Sequence, residues 1–446
     1  MQNGRAGGFQ GGLIMPAGIR KSVVLGGAGF LVAVVAVVVL WRAAIRRPET
    51  PPNVILIVID ALRPDHMGCY GYDRDTCLFM TGVANRGLVF ENVTSPSTWT
   101  KTVMASVLTS RYPEFHGVRG IKDVLSPSLV LLPETLKSNG YETCCIHGNP
   151  WMAEKFGFNQ GYDRFVYGDF AQENMNAVHA NEYALEWLEA RGDAPYFLYL
   201  HYMDVHAPYD WPSDCRVFGT GFVDRYDGGI LWMDQQIRAL LCSLEEQGLL
   251  DNTCVVITAD HGEEFKEHGG YTHGSSLYGE VLRVPLIFYY PGFIRKGARI
   301  ERHVSLMDLA PTIIDLAGIK IPGGMDGVSL MDDLRGSPFR HRKGRIAFSQ
   351  VGLNDVAPDK DLIAVTTPQY KYILDRLSSR EELYYLVNDP GESNDVSGSM
   401  PEIADRFRAM VHDFCRVQRS RRSGNAGKVE LDARSVEKLK SLGYLK

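Results

Sequence analysis

Val54-Ile55-Leu56-Ile57-Val58-Ile59 crosses six apolar positions without a polar one and stops at Asp60. A strand with one solvated face alternates apolar and polar residues. An unbroken run of this length therefore predicts a strand covered on both faces, as in parallel sheets. Val255-Val256-Ile257-Thr258-Ala259 has the same character and ends in Asp260-His261-Gly262. Strand-like runs cover 54–59, 141–146, 195–202, 253–259 and 284–290. Helical spacing covers 76–86, 102–110, 130–139, 173–191, 224–248 and 306–317. Segment 173–191 brings Ala177, Ala180, Ala184, Leu185, Trp187 and Leu188 onto one broad face. Strands alternating with helices predict an α/β fold with a mostly parallel central sheet covered on both faces. After about residue 340 the pattern changes. Ile363-Ala364-Val365-Thr366 and Tyr370-Lys371-Tyr372-Ile373-Leu374 read as hairpin strands, and a helix follows at 401–417. Together they predict a small C-terminal antiparallel subdomain. Arg416 to Lys428 is basic and polar, and predicts a surface tail.

The longest apolar run lies near the N-terminus. Ser22 to Trp41 carries no charge and is almost wholly Val, Leu, Ala, Gly and Phe. A run of this length spans a bilayer core of about 30 Å. A cleaved signal peptide has a shorter apolar core and a small-residue cleavage site. Here Arg42, Arg46 and Arg47 follow at once. The expectation is a single-pass transmembrane anchor outside the globular body, joined by a Pro-rich linker. The globular body is expected on the extracytoplasmic side, although basic residues flank both ends of the span too evenly to set orientation. The net charge is -6, and residues 1–48 hold six basic residues and no acid. The remainder therefore carries -6 - 6 = -12, which excludes a basic nucleic-acid surface. Eight cysteines show no CxxC pair and no zinc-finger spacing. Cys69 and Cys77 share a loop, where an oxidising compartment would allow them to bridge.

Asp60 and Asp260 end apolar strands, and open α/β sheets place their sites at carboxyl ends of strands. Two such strands delivering carboxylates, one with an adjacent His261, suggest a metal site. The alternative is that each Asp caps the turn that follows. Further motifs stand in order along the chain. Arg63-Pro64-Asp65 precedes Gly68-Cys69-Tyr70-Gly71-Tyr72. Then come Ser97-Thr98-Trp99-Thr100-Lys101-Thr102-Val103-Met104, Leu200-His201-Tyr202-Met203-Asp204-Val205-His206-Ala207-Pro208, and Asp260-His261-Gly262 through Thr272-His273-Gly274. With Glu382-Leu383-Tyr384-Tyr385-Leu386-Val387-Asn388-Asp389-Pro390-Gly391-Glu392, this succession resembles the sulfatase family of the alkaline phosphatase superfamily. The resemblance implies an alkaline-phosphatase-like sandwich. It divides the chain into tail 1–21, anchor 22–41, linker 42–52, catalytic domain 53–340, C-terminal α+β subdomain 341–417 and tail 418–446.

The resemblance also implies roles. Asp60 matches the first-strand metal ligand, and Asp260 with His261 the second-strand pair. Many sulfatases carry a second Asp after strand one, where this chain has Ala61. Losing that oxygen ligand favours zinc or manganese and leaves calcium possible. Thr100 falls at the nucleophile position, where sulfatases have a Cys or Ser converted to formylglycine. Threonine cannot be converted, and Met104 replaces the family arginine. Thr100 therefore resembles the unmodified Thr of phosphodiesterase, phosphonate-hydrolase and phosphoethanolamine-transferase branches, and coordination to a metal is what activates such a hydroxyl. A plain helix N-cap is the alternative for Thr100. His206 and His273 match histidines that hold the transferred group or a second metal, which Asp204 would join. His116 and His268 resemble family positions less specifically. The family's sulfate-binding Lys and His are missing from Gly148-Asn149-Pro150-Trp151, leaving Asn149 as a hydrogen-bond donor to an oxyanion. The expected function is metal-dependent hydrolysis of a sulfate or phosphate ester, of a glycan or a lipid. The alternatives are a membrane-anchored envelope phosphotransferase and a catalytically degenerate binding protein.

Overall fold

Seven residues, Asn53–Ile59 (β1), form a strand whose side chains are all buried after the first. The structure is a computed structural model. It describes residues 50–433 apart from 169–174, 210–212, 216, 337–343, 353–356 and 423–425, together with 436, 437 and 439. Segment 22–41, read as an anchor, lies outside the described residues. Among the described residues no helix is long and apolar enough to cross a membrane.

β1 lies between two parallel neighbours at the centre of the sheet, and burial of its side chains on both faces explains its unbroken apolar sequence. The other main strands are β2 (Leu88–Phe90), β3 (Glu142–His147), β4 (Arg164–Tyr167), β5 (Tyr196–Tyr202), β6 (Thr253–Thr258), β7 (Leu286–Tyr289) and β8 (Ala298–Ile300). Their order across the sheet is β8-β2-β7-β6-β1-β5-β3-β4. β1 pairs in parallel with β5, Val58 opposite His201, and with β6, Val58 opposite Thr258. β3 pairs in parallel with β5 and β4. All five runs read as strands in the sequence join this sheet. However, β7 runs antiparallel to both β6 and β2. Apolar content reports burial on both faces and is silent on direction.

Two helix groups cover the sheet. Leu78–Arg86 (α1), Ala177–Ala190 (α3) and Phe222–Glu246 (α4) pack together, whereas Thr100–Thr109 (α2) packs with Leu132–Lys137 and Leu309–Leu316. The start of α3 is fixed by Asn176, whose side chain accepts hydrogen bonds from the amides of Val178 and His179.

The C-terminal part holds four antiparallel strands: β9 (Ala347–Gly352), β10 (Asp361–Thr366), β11 (Tyr370–Asp375) and β12 (Glu381–Tyr385). Period-two alternation sorts its side chains. Ile363, Val365, Tyr372 and Leu374 meet Phe407, Val411 and Phe414 of helix Pro401–Arg421 (α5), while Ala364, Ile373 and Tyr384 pack with Leu277 and Leu282 of the catalytic part. The sequence pattern identified only the middle hairpin. α5 runs beyond 417 because Arg419 and Arg421 in its last turn pair with Glu114 and Asp326. The expected surface tail likewise returns to the body, with Gly427–Lys428 pairing with Asp123–Val124.

Candidate active site

β1 and β6 end side by side, so the residues that follow them share one sheet edge. Asp60, Asp260, His261 and Thr100 are each fully buried there. One ligand atom from each of Asp60, Asp260 and His261 lies within 4.8 Å of the others. Thr100 Oγ1 stands 3.3 Å from Asp60 Oδ2 and 3.2 Å from His261 Nε2. It opens α2, whose N-cap is Trp99 with no side-chain cap. The capping alternative for Thr100 therefore fails, and its hydroxyl belongs to the carboxylate cluster. Local packing holds the Asp-His-Gly turn. A Cβ on residue 262 would sit 2.0 Å from the Glu280 carbonyl oxygen, and only glycine avoids that clash.

The chemistry of this cluster is short of hydrogens. His261 Nδ1 donates to the Gly262 carbonyl at 2.9 Å, leaving Nε2 as a lone pair. That atom is 3.8 Å from Asp60 Oδ1 and 3.3 Å from Asp260 Oδ2. Neither oxygen has a hydrogen-bond partner among the described residues, although both are buried. Buried carboxylate oxygens are costly unless paired or bound to a cation. Two orphaned oxygens, a lone-pair nitrogen and a hydroxyl converging on one point therefore fit a divalent cation. Burial by itself would raise the Asp60 carboxyl. The hydrogen bond from His201 is the largest opposing cause, and the group lies below the ordinary carboxylate range.

His206 and His273 complete the same cluster. The His273 ring lies 4.1 Å from that of His261, and the His206 ring 5.1 Å from that of His273. His206 Nδ1 donates to the Ala207 carbonyl at 2.8 Å. His273 Nδ1 donates to Glu263 Oε1 at 2.9 Å, and Tyr209 donates to Glu263 Oε2 at 2.7 Å. Burial would raise the Glu263 carboxyl, but His273 beside it keeps it low, so it remains an acceptor that fixes the imidazole.

Other sequence readings change on contact with the structure. Asn149 does not stand as an oxyanion donor. Its Nδ2 donates to Asp60 Oδ2 at 2.8 Å and its Oδ1 accepts from the Trp151 amide at 2.8 Å, so it positions Asp60. Asp204 does not join the histidines. Its Oδ1 accepts from the Ala177 amide at 3.0 Å and Trp232 Nε1 at 3.1 Å, and burial pushes its carboxyl up to about 6. His116 is buried against Ser106, and desolvation pulls it down to about 3. His268 stacks on Tyr278 at 3.7 Å and bonds Glu280. Cys69 and Cys77 are free thiols in contact with one another. The sequence reading assigned no role to His201, which donates to Asp60 Oδ2 across 3.1 Å. Its position at the end of β5, beside β1, was the available signal.

The family follows from comparison with known proteins. The sulfatase family model matches residues 52–319, and the C-terminal model of N-sulphoglucosamine sulphohydrolase matches 266–418. An arylsulfatase of Clostridium perfringens is 24% identical, covering 78% of this chain and 90% of the relative. Human arylsulfatase A is 26% identical, covering 81% and 87%. A solved structure bound to its substrate D-glucosamine-2-N,6-O-disulfate superposes with a TM-score of 0.72 at 20% identity, covering 83% of this chain and 98% of the other. The phosphonate monoester hydrolase of Agrobacterium radiobacter gives 0.71 at 18% identity, covering 82% and 96%. The chain belongs to the sulfatase family of the alkaline phosphatase superfamily, and so to the sulfuric ester hydrolases.

Proposed function

We propose that the protein hydrolyses sulfate or phosphate esters with Thr100 Oγ1 as the attacking atom and a divalent cation at Asp60, Asp260 and His261. The observation that carries this reading is the placement of Thr100 Oγ1 within 3.3 Å of two of the three convergent groups. Mixed carboxylate and imidazole ligands favour zinc or manganese over calcium. A bound cation would lower the pKa of the hydroxyl and offset charge on the transferred group.

The chain's own residues supply the rest. Thr100 Oγ1 attacks sulfur or phosphorus, and as the new bond forms its proton passes to Asp60 Oδ2, to which it already donates at 3.3 Å. The bond to the ester oxygen breaks, and that oxygen leaves with the electron pair and takes a proton from His206 or His273. Water then attacks the sulfur or phosphorus of the Thr100 ester and gives a proton to the histidine that protonated the leaving group, while the bond to Thr100 Oγ1 breaks and that oxygen takes the electron pair and regains the proton held by Asp60. Asn149 and Glu263 hold Asp60 and His273 in place throughout. Replacing water with an acceptor hydroxyl turns the same steps into group transfer. The unmodified Thr100 favours that second reading, because it resembles the nucleophile of transferases. Sulfated sugars are the favoured substrates, since a structural neighbour holds one.

The test uses the purified full-length chain with aryl sulfate, phosphate monoester, phosphate diester and phosphonate probes, with zinc, manganese or calcium added back. Thr100→Ala should lose at least about a thousandfold in kcat, on the scale of removing a nucleophile, while Thr100→Ser keeps measurable turnover. Near-normal turnover by Thr100→Ala would place the attacking group elsewhere. Residues 22–41 are read as a membrane anchor on the same proposal. The full-length chain should resist carbonate extraction from membranes, and a chain that is released with its N-terminus intact would end that reading.

A further inference from the structure

We propose that His201, oriented by Tyr199, is a positioning residue that reserves one oxygen of Asp60 for the cation. The proposal rests on the reading of Asp60, Asp260 and His261 as a cation site.

The two oxygens of Asp60 have opposite surroundings. Oδ2 is approached by Asn149 Nδ2 at 2.8 Å, His201 Nε2 at 3.1 Å and Thr100 Oγ1 at 3.3 Å. Oδ1 has no hydrogen-bond partner among the described residues and lies 3.8 Å from His261 Nε2. The proton on His201 is fixed by its other neighbour. Tyr199 Oη is 2.6 Å from His201 Nδ1 and 3.4 Å from Met152 Sδ. A thioether is a weak acceptor, so the phenol hydrogen goes to the imidazole nitrogen. Nδ1 then accepts and Nε2 carries the hydrogen, aimed at Asp60 Oδ2. The reverse tautomer would set a nitrogen lone pair against a carboxylate oxygen at 3.1 Å, with no hydrogen between them.

All three side chains are buried, with Tyr199 and Asp60 at 0% exposure and His201 at 1%. Tyr199 and His201 alternate on β5 and so project to the same face, and His201 stands opposite Val58, two residues before Asp60. The register of two parallel strands therefore aims the donor. Ala61 supplies no second carboxylate from this strand, so Asp60 alone contributes oxygen from it. Rotation of that one carboxylate would swap a hydrogen-bonded oxygen for a free one and deprive the cation of a ligand. His201 and Asn149 together prevent the swap.

The experiment measures zinc and manganese affinity of the full-length chain by competition with a chromophoric chelator. It compares the wild type with His201→Leu, His201→Gln and Tyr199→Phe, and follows thermal unfolding of each metal-free variant. Loss of an outer-sphere partner of a ligand costs roughly 10- to 100-fold in metal affinity. His201→Leu should fall in that range. His201→Gln, whose amide can still donate, should recover part of the loss, and Tyr199→Phe should lie between. Wild-type affinity in Tyr199→Phe and in His201→Leu would overturn the proposal. Should His201→Leu not fold, wild-type affinity in Tyr199→Phe together with His201→Gln overturns it. A wild type that binds neither metal, nor calcium in the same competition, would instead overturn the cation reading, which separates the two failures.

Discussion

Asp204 illustrates how one buried carboxyl sets a pH dependence. Its Oδ1 anchors the start of α3 through the Ala177 amide, but its Oδ2 is buried without a hydrogen-bond partner among the described residues. Burial raises its pKa from 3.8 to about 6, so the folded chain keeps a proton that the unfolded chain has released. This group favours folding most below the unfolded value, and that contribution is lost as pH rises through about 6. The gap corresponds to roughly 3 kcal/mol. Asp204→Asn keeps the acceptor and removes the buried charge. Its melting temperature should exceed that of the wild type by several degrees at pH 8 and match it near pH 4, which differential scanning calorimetry would check. An unchanged difference across that range would rule out Asp204 as the source. His116 acts with the opposite sign. Desolvation takes it down to about 3, so its contribution is present above the usual histidine range and lost on acidification.

At the scale of elements, the joint between the C-terminal sheet and the catalytic part depends on a buried ion pair. Lys371 Nζ on β11 donates to Glu392 at 3.0 and 2.9 Å, and Glu392 also accepts from the Gly279 amide at 3.1 Å. Lys371 is 2% exposed and Glu392 5%. Breaking such a pair on one side leaves a buried charge uncompensated, at about 3–5 kcal/mol. Lys371→Met should therefore lower the melting temperature by several degrees, and Lys371→Met with Glu392→Gln should recover much of it. If the double variant melts no higher than the single one, the cost lies in lost packing and not in the stranded carboxylate. The neighbouring sequence Glu382 to Glu392 was recognised from its resemblance to the family. The outer strands β9 and β12 were not, because Ser349 and Gln350 or Glu381 and Glu382 break the apolar pattern that marks β10 and β11.

The proposed cation site would be a property of the whole molecule, because its candidate ligands come from separate stretches of chain. Asp60 and Asp260 are 200 residues apart in sequence and meet only once β1 and β6 are paired. An ion bound by the folded chain and not by the unfolded one adds about 2.7 kcal/mol at a hundred times its dissociation constant. Saturating zinc or manganese should raise the melting temperature by a few degrees and a strong chelator should reverse the gain, both readable by fluorescence-monitored unfolding. No shift with zinc, manganese or calcium would refute the cation site independently of any substrate.

Thr100, His206 and His273 enter as site residues through the resemblance to the sulfatase family, whereas the central strands and the acids at the ends of two of them are legible in the sequence alone. These are local signals: apolar run length reports burial on both faces, and a charge directly after such a run falls at a sheet edge. Tertiary structure decided what depends on neighbours. Strand direction placed β7 antiparallel. Strand register gave His201 to Asp60, although nothing in its own segment distinguishes it from a core residue. Packing turned Asn149 toward Asp60 and Asp204 toward α3, since a side chain's partner depends on which distant backbone approaches it. Burial then left one oxygen of Asp60 and one of Asp260 unpaired and facing the same nitrogen, an arrangement that arises only when two strand ends are brought together.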